Sequence, residues 1–328
     1  MLRSLYSGIS GMKVNQTKLD VIGNNIANVG TTAFKSARVR FEDMLSQNVS
    51  QALKPGVNQG GLNPRQVGLG VQLAGIDTMV TQGMMQPTSR NLDAAVDGDG
   101  YFMVASGPNG TSVTVDPVNH VVTASNGMNI SYTRDGSFTL DSQGNLLTSD
   151  GYRVMGYVVN GSIDYAQNPP TVKYEDANTT TSVDNAALVP LVIPDAVDNA
   201  GKQVRIQSFS IAKDGTISAV LADGNVSILG QIAMSSFKNP AGLTKLGKNL
   251  YSPSANSGDP TVRSALGDAA NDNSKGYGDA LQGMLEMSNV DLAEQFTDMI
   301  VSSRAFQANT KTITTGDEIL QDILNLKR

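Results

Sequence analysis

The chain is predicted to have a mixed α and β fold. Long N- and C-terminal helices pair as a coiled coil, and a central, mainly antiparallel β domain is built from two discontinuous segments. Three observations predict this. Apolar residues recur at alternating steps of three and four at both ends of the chain. Between the ends the apolar period falls to two. Asp-Gly and Asn-Gly pairs punctuate that middle at strand-length intervals.

The first helix is expected over residues 3–28, about 39 Å at 1.5 Å per residue. Its seam runs Leu2, Leu5, Ile9, Met12, Gln16, Leu19, Gly23 and Ile26, with Ile22 beside it. Gln16 and Gly23 interrupt the seam, so the helix is marginal alone. Asn24, Asn25 and Asn28 lower its propensity further. Gly30 suits the left-handed residue that closes a helix. Residues 31–66 read as a connecting segment, with a short amphipathic helix or turn at about 41–53 and a loop, "KPGVNQGGLNPRQ", at 54–66.

The β domain is expected over 67–159 and 203–284. "YTRDGSFTLDSQGNLL" alternates around Asp135-Gly136 and turns at Gln143-Gly144-Asn145. "FSIAKDGTISAVLADGNVSILGQIAM" alternates around Asp214-Gly215 and Asp223-Gly224. Asp-Gly between alternating runs points to a type I′ hairpin, whose two central residues need positive φ. Residues 160–202, with Pro169-Pro170 and Thr179-Thr180-Thr181, read as an irregular insertion too polar to carry much core. The last helical domain covers 285–328. Ser288 and Asp291 read as a capping box. The seam then runs Leu292, Phe296, Met299, Ser303, Phe306, Thr310, Ile313, Asp317, Leu320 and Leu324. A helix over 291–326 is about 54 Å long. Two distant segments with one period are expected to pack on each other.

Composition narrows the function. Of 328 residues, 40% are hydrophobic, 16% are charged and 33 are glycine. Charge is below the roughly 25% of a typical soluble domain. The surface therefore relies on neutral polar groups. Net charge is −6 with no long basic cluster, which argues against a nucleic-acid partner. No stretch nears the roughly 20 apolar residues of a membrane span. The polar breaks after Arg3 argue against a Sec signal peptide. There is no cysteine, which removes disulfides, thiolate metal sites and cysteine nucleophiles together.

Candidate chemistry is sparse. His120 in "DPVNHVVTAS" has no acid or nucleophile placed beside it for a triad, and reads as a surface or strand histidine. "VDGDGYF" at 96–102 lacks the spaced oxygen ligands of a calcium loop and reads as a hairpin turn. "GLGVQLAG" at 68–75 lacks the GxGxxG spacing of a dinucleotide site. Paired carboxylates for glycosidic work have no aromatic sugar platform beside them. No catalytic residue, cofactor or metal is expected. The long terminal stripes exceed what the β middle can cover, which points to an association surface.

At this point the residues resemble a family. "LDVIGNNIANVGTTAFKSARVRFEDML" (19–45) is similar to the N-terminal signature of flagellar axial proteins, and Phe34-Lys35-Ser36 and Phe41-Glu42-Asp43-Met44 to its hook branch. "GGLNPRQVGLGVQLAGIDTMVTQGMMQPTSRNLDAAVDGDGYFMV" (60–104) resembles the next block. Residues 132–157, 229–260 and 281–326 complete the series in order, the last including Asn289.

The resemblance implies a bacterial flagellar hook subunit, polymerising into a curved hollow tube that acts as a universal joint. It implies terminal helices lining an inner tube and β domains outside them. It implies export by the flagellar type III apparatus and an extracellular place in the hook and basal body. The implied partners are other copies, the distal rod protein, the hook cap and the hook–filament junction protein. The distal rod is the alternative, since rod proteins share the pattern but generally read "TPGF" where this chain has Thr32-Ala33-Phe34. Larger hook proteins carry an outer domain between the β halves. At 160–202 that domain is expected to be absent or vestigial. The family's cysteine–lysine cross-link is unavailable. Asn24, Asn25 and Asn28 read either as groups facing neighbouring subunits or a channel, or as local caps and solvent-exposed residues. Of other classes, a secreted β-rich adhesin or surface protein would keep its fold without its termini, and a hydrolase would show an acid or nucleophile–base pair in a cleft.

Overall fold

The structure is a computed structural model. It describes the chain except residues 1, 56–59, 109, 117–118, 160–162, 166, 168, 178–186, 200, 264–277 and 327–328, and only the backbone of residues 2 and 3. The chain divides into two compact units. One comprises Met1–Gly30, Lys35–Met79 and Val290–Arg328, the other Thr31–Phe34 and Val80–Asn289.

The first unit holds helices α1, Leu2–Ala27, and α2, Leu292–Leu326. The cap of α2 is Asp291 itself, three residues later than the expected box at Ser288. Asp291 Oδ1 accepts from the backbone N–H of Ala293 at 2.8 Å and of Glu294 at 3.3 Å. At the end of α1 the side-chain amide of Asn28 donates to Asn24 O at 2.9 Å. The left-handed residue that follows is Ala33, at φ 54°, rather than Gly30.

The rest of this unit is one long β-ribbon. Ala37–Asp43 pairs antiparallel with Val71–Thr78, and Ser46–Ser50 with Arg65–Gly68. A bridge between Leu53 and Leu62 extends it. Residues 41–53 are therefore strand, where a short helix or turn was expected. The ambiguity is physical. Phe41, Leu45, Val49 and Leu53 are four residues apart, so they share one face of a helix and equally one face of a strand. Cross-strand ties settle the outcome. Arg40 Nε lies 2.6 Å from Asp77, and Gln72 donates to Glu42 at 2.6 Å. Residues 67–79, expected in the β domain, belong to this ribbon.

The second unit is β-rich. Its core strand Tyr101–Ser106 pairs with Asn129–Thr133, Arg153–Tyr157 and Met234–Ser236. Lys202–Ile211, Thr216–Leu221 and Val226–Ile232 follow as an antiparallel meander. Their turns at Asp214-Gly215 and Asp223-Gly224 are hairpins, but not type I′. Only the glycines have positive φ, 87° and 80°. Gly215 N donates to Ala212 O and Ala212 N to Thr216 O, both at 2.9 Å, which is a three-residue loop closed by a left-handed glycine.

Asp135-Gly136 is not a hairpin. Asn129–Thr133 pairs with Tyr101–Ser106 and Leu250–Ser252, not with Phe138–Leu140. Glycine is needed there for space, since a Cβ on Gly136 would lie 1.5 Å from Ala94 O. Residues 96–102 likewise turn a corner, because Ala94–Asp97 pairs with Asp279–Gln282.

The described parts of 160–202 are strands rather than an irregular insertion. Ala187–Pro190 pairs with Arg153–Tyr157, and Ala196–Asn199 with Lys202–Ile211. Val172, Leu188, Leu191, Val192 and Val197 are buried core residues. Thr179, Thr180 and Thr181, the Asn160-Gly161 pair and Asn109 lie outside the described residues. His120 sits in a tight turn at φ 55° and is buried, neither on the surface nor in a strand. The unit's apolar core has two clusters, one around Phe102, Phe138, Ile217 and Leu221, the other around Tyr101, Tyr132, Tyr157 and Phe237.

Candidate assembly surface

Helices α1 and α2 run antiparallel, and they approach most closely at glycines. A Cβ on Gly8 would lie 3.1 Å from Ile313 Cγ1, one on Gly11 2.6 Å from Asn309 Nδ2, and one on Gly316 2.8 Å from Leu5 Cδ2. Farther along, Lys18 Nζ stands 3.4 Å from Asp298 Oδ1. Asn25 Nδ2 donates to Gln295 Oε1 at 3.0 Å. Among the described side chains, Gly8, Gly11, Val14, Ile22 and Asn25 are the buried residues of α1, and Ser302 is the buried residue of α2.

The apolar residues of the expected seams lie mostly beside this line of contact. Leu5, Met12, Leu19, Ile26, Met299, Phe306, Ile313 and Leu320 are half-buried. Ile9 and Leu292 are exposed, as are Phe296 at 49% and Leu324 at 67%. The side chain of Leu2 lies outside the described residues. The line is displaced by about one residue because the backbones meet where glycine lets them approach, and the larger side chains become flanking ridges. Tyr6, Ile300, Val301, Ile319, Ile323 and Leu326 add to the exposed apolar surface of the two helices. Leu45, Val49, Leu53 and Leu62 do the same on the ribbon. Exposed apolar residues thus lie on both helices and on the ribbon, the kind of surface that serves association where it is contiguous.

The asparagines separate into roles. Asn25 is buried and ties α1 to the start of the ribbon: Nδ2 donates to Ala37 O at 2.9 Å and Oδ1 accepts from Ala37 N at 3.0 Å. Asn28 bonds locally to Asn24, and Asn24 is exposed. Asn289, in the β unit, donates to Thr81 O at 3.1 Å.

Sequence reasoning missed a buried clip in the β unit. Arg134 Nε and Glu286 Oε2 are 3.2 Å apart with almost no exposure of either side chain. Arg134 also donates to Gly98 O and stacks over Tyr101, 5.7 Å from the ring centroid. Glu286 Oε1 accepts from Gly83 N at 2.8 Å, and Glu286 O from Ala33 N at 2.8 Å. The clip binds the strand that enters this unit to the strand that leaves it. The two residues are distant in the chain, so no local pattern announces them. The close helix contact did have a signal, the Gly8–Gly11 pair in "SGISGMK". Lys35, at 1% exposure, was legible as part of Phe34-Lys35-Ser36 but not as a buried residue.

Three family models match the chain. They are the "Flagella basal body rod protein" at 5–35, the "Flagellar hook protein FlgE/F/G D1 domain" at 120–219 and the "Flagellar basal body rod FlgEFG protein C-terminal" at 281–326. The flagellar basal-body rod protein FlgG of Bacillus subtilis is 44% identical over 328 residues, covering all of both chains. The flagellar hook proteins FlgE of Borreliella burgdorferi and Treponema pallidum are 32% and 30% identical over 448 and 475 aligned residues, again covering all of both chains. A chain with terminal helices, a β-rich centre and full-length relatives of both kinds belongs to the FlgE/F/G family of flagellar rod and hook structural proteins.

Proposed function

We propose that this protein polymerises through its helical unit into the hollow axial tube of the flagellum, and that the tube is the hook. The observation that carries polymerisation is the apolar surface that α1 and α2 leave uncovered while meeting through glycine and polar side chains. A chain with that surface is completed by other copies of itself. Contacts that repeat without closing make a helical tube. In that tube α1 and α2 pair as a coiled coil and supply the inner wall. The subunit catalyses nothing. It is exported by the type III apparatus, a passage to which a chain without thiols is suited. The distal rod protein, hook cap and junction protein are its neighbours.

Thr32, where the rod pattern carries proline, supports the hook, as do few charges, because sliding contacts then break few ion pairs. The distal rod is the second reading. The end-to-end match to the Bacillus subtilis FlgG over 328 residues favours it, since the hook relatives align over 448 and 475.

Negative-stain imaging of concentrated protein beside a copy lacking 1–30 and 288–328 tests both. Hollow tubes from the full chain alone are expected. Curved tubes support the hook and straight ones the rod. Tubes from the truncated copy would refute the role of the helices.

A further inference from the structure

The helical unit carries both halves of one contact on different surfaces. On α2, Phe296, Ile300 and Arg304 follow at steps of four and so share a face. Phe296 and Ile300 are 49% and 54% exposed. Arg304 is exposed and pairs with no acid among the described residues. The line therefore reads as two apolar knobs followed by a cation. Farther along, Leu5 of α1 and Ile313, Thr314, Asp317 and Glu318 of α2 line a groove of about 440 Å³. Leu5 and Ile313 supply its apolar part, beside the carboxylates of Asp317 and Glu318. Among the described residues Asp317 accepts from a neutral donor alone, Gln321 Nε2 at 3.1 Å.

Resting on the polymer reading above, we propose that the Phe296–Ile300–Arg304 line of one copy docks in the Leu5/Ile313/Asp317/Glu318 groove of the next. Phe296 and Ile300 fill the apolar part and Arg304 meets Asp317 and Glu318. Charge selects this groove over a second one on the helix pair. That one, of about 550 Å³, is lined by Lys311, which repels Arg304. The groove and the line are different patches, so the contact is head to tail and does not use itself up in a dimer. It repeats with every added copy. Steering by opposite charge also fixes the register of apolar residues that would otherwise pack in several ways.

The chain has no cysteine, so an Ile300→Cys, Thr314→Cys variant carries only the two thiols that this contact brings together. The variant is assembled and then treated with a thiol oxidant. A ladder of covalent multimers on denaturing gels is expected. A band at dimer alone would overturn the head-to-tail contact, and no cross-link in formed polymer would overturn the contact itself. Arg304→Glu should lower sedimentable polymer by at least about tenfold, the equivalent of about 1.4 kcal/mol per contact. Adding Asp317→Arg and Glu318→Arg should restore it, an outcome misfolding cannot produce. Undiminished polymer from Arg304→Glu would remove the contact and leave polymerisation standing. Wild-type protein that forms no polymer, concentrated or in its own cell, would remove both.

Discussion

Glu286→Gln should destabilise the β unit severely. Glu286 and Arg134 face each other at 3.2 Å with side-chain exposures of 0% and 2%. The amide keeps the volume and can still accept from Gly83 N. It leaves the guanidinium buried without a counter-charge. Removing one partner of a buried pair costs about 3–5 kcal/mol. A unit of this size loses roughly 2–4 °C of melting temperature per kcal/mol, so the midpoint should fall by about 6–20 °C. Near-ultraviolet circular dichroism reads it, because Tyr101 and Tyr251, in edge contact at 5.5 Å, lie within the field of this pair. Arg134→Met should cost a similar amount. The double variant Arg134→Met, Glu286→Gln should cost clearly less than the sum, because no lone charge remains and Gly83 N keeps an acceptor, while the Gly98 and Val96 carbonyls lose a donor. Costs that add to within about 0.5 kcal/mol would refute the reasoning, since that is the behaviour of independent sites.

Asn25→Ala leaves both backbone groups of Ala37 without a partner and should cost about 2–4 kcal/mol in chemical denaturation, whereas Asn24→Ala should stay within about 0.5 kcal/mol; equal effects would undo the separation of roles. Gly11→Leu should push α1 from α2 and lower helical circular dichroism, as its Cβ alone would fall 2.6 Å from Asn309 Nδ2; an unchanged spectrum and melting curve would place the contact elsewhere. Burial raises Tyr101 to about 12 and pushes Tyr132, Tyr165 and Tyr251 higher still. Because these folded values exceed the unfolded value of about 10, the stability they contribute is full below pH 10 and is lost as pH climbs toward 12. Phenolate absorbance near 295 nm should therefore show four of the nine tyrosines ionising only as the unit unfolds; normal titration in a native spectrum would contradict this.

The helices and the meander were legible because each rests on local periodicity. Leu292–Leu326 and the strands around Asp214 and Asp223 follow from residues a few positions apart. What was misread depended on distant partners. The ribbon at 41–53 looked helical because four-residue spacing satisfies two periods, and only its pairing with 62–78 decides between them. Asp135-Gly136 looked like a turn because its glycine is needed, but for the approach of Ala94 rather than for positive φ. The polar appearance of 160–202 hid Leu188, Leu191 and Val197, which complete a core laid down by other strands. On the candidate surface the apolar residues were legible as residues. Which of them face the partner helix was not, since the seam is drawn by where Gly8, Gly11 and Gly316 let the backbones meet.

That displaced seam has a consequence for how such a chain stays single before assembly. A pair of long helices joined by leucine ridges would be stable in any copy and would spend its apolar surface internally. Here the backbones meet at glycines, and Asn25–Gln295 and one partly exposed ion pair, Lys18–Asp298, stand beside the buried Val14 and Ile22, the polar ties each contributing little. Most of the large side chains are left half-buried or exposed. On the polymer reading proposed above, the helix pair is weak alone and gains burial from neighbours, so its stability would rise with the number of contacts made at a growing end. A free chain has few of them, and a chain seated between others has many. Strengthening the internal seam, for instance with Thr310→Leu, an exposed position beside Met12 of the other helix, should then slow polymer growth even while it stabilises the monomer. Seeded elongation measured beside monomer melting tests this, and a variant that gains in both would show that the polar seam is incidental.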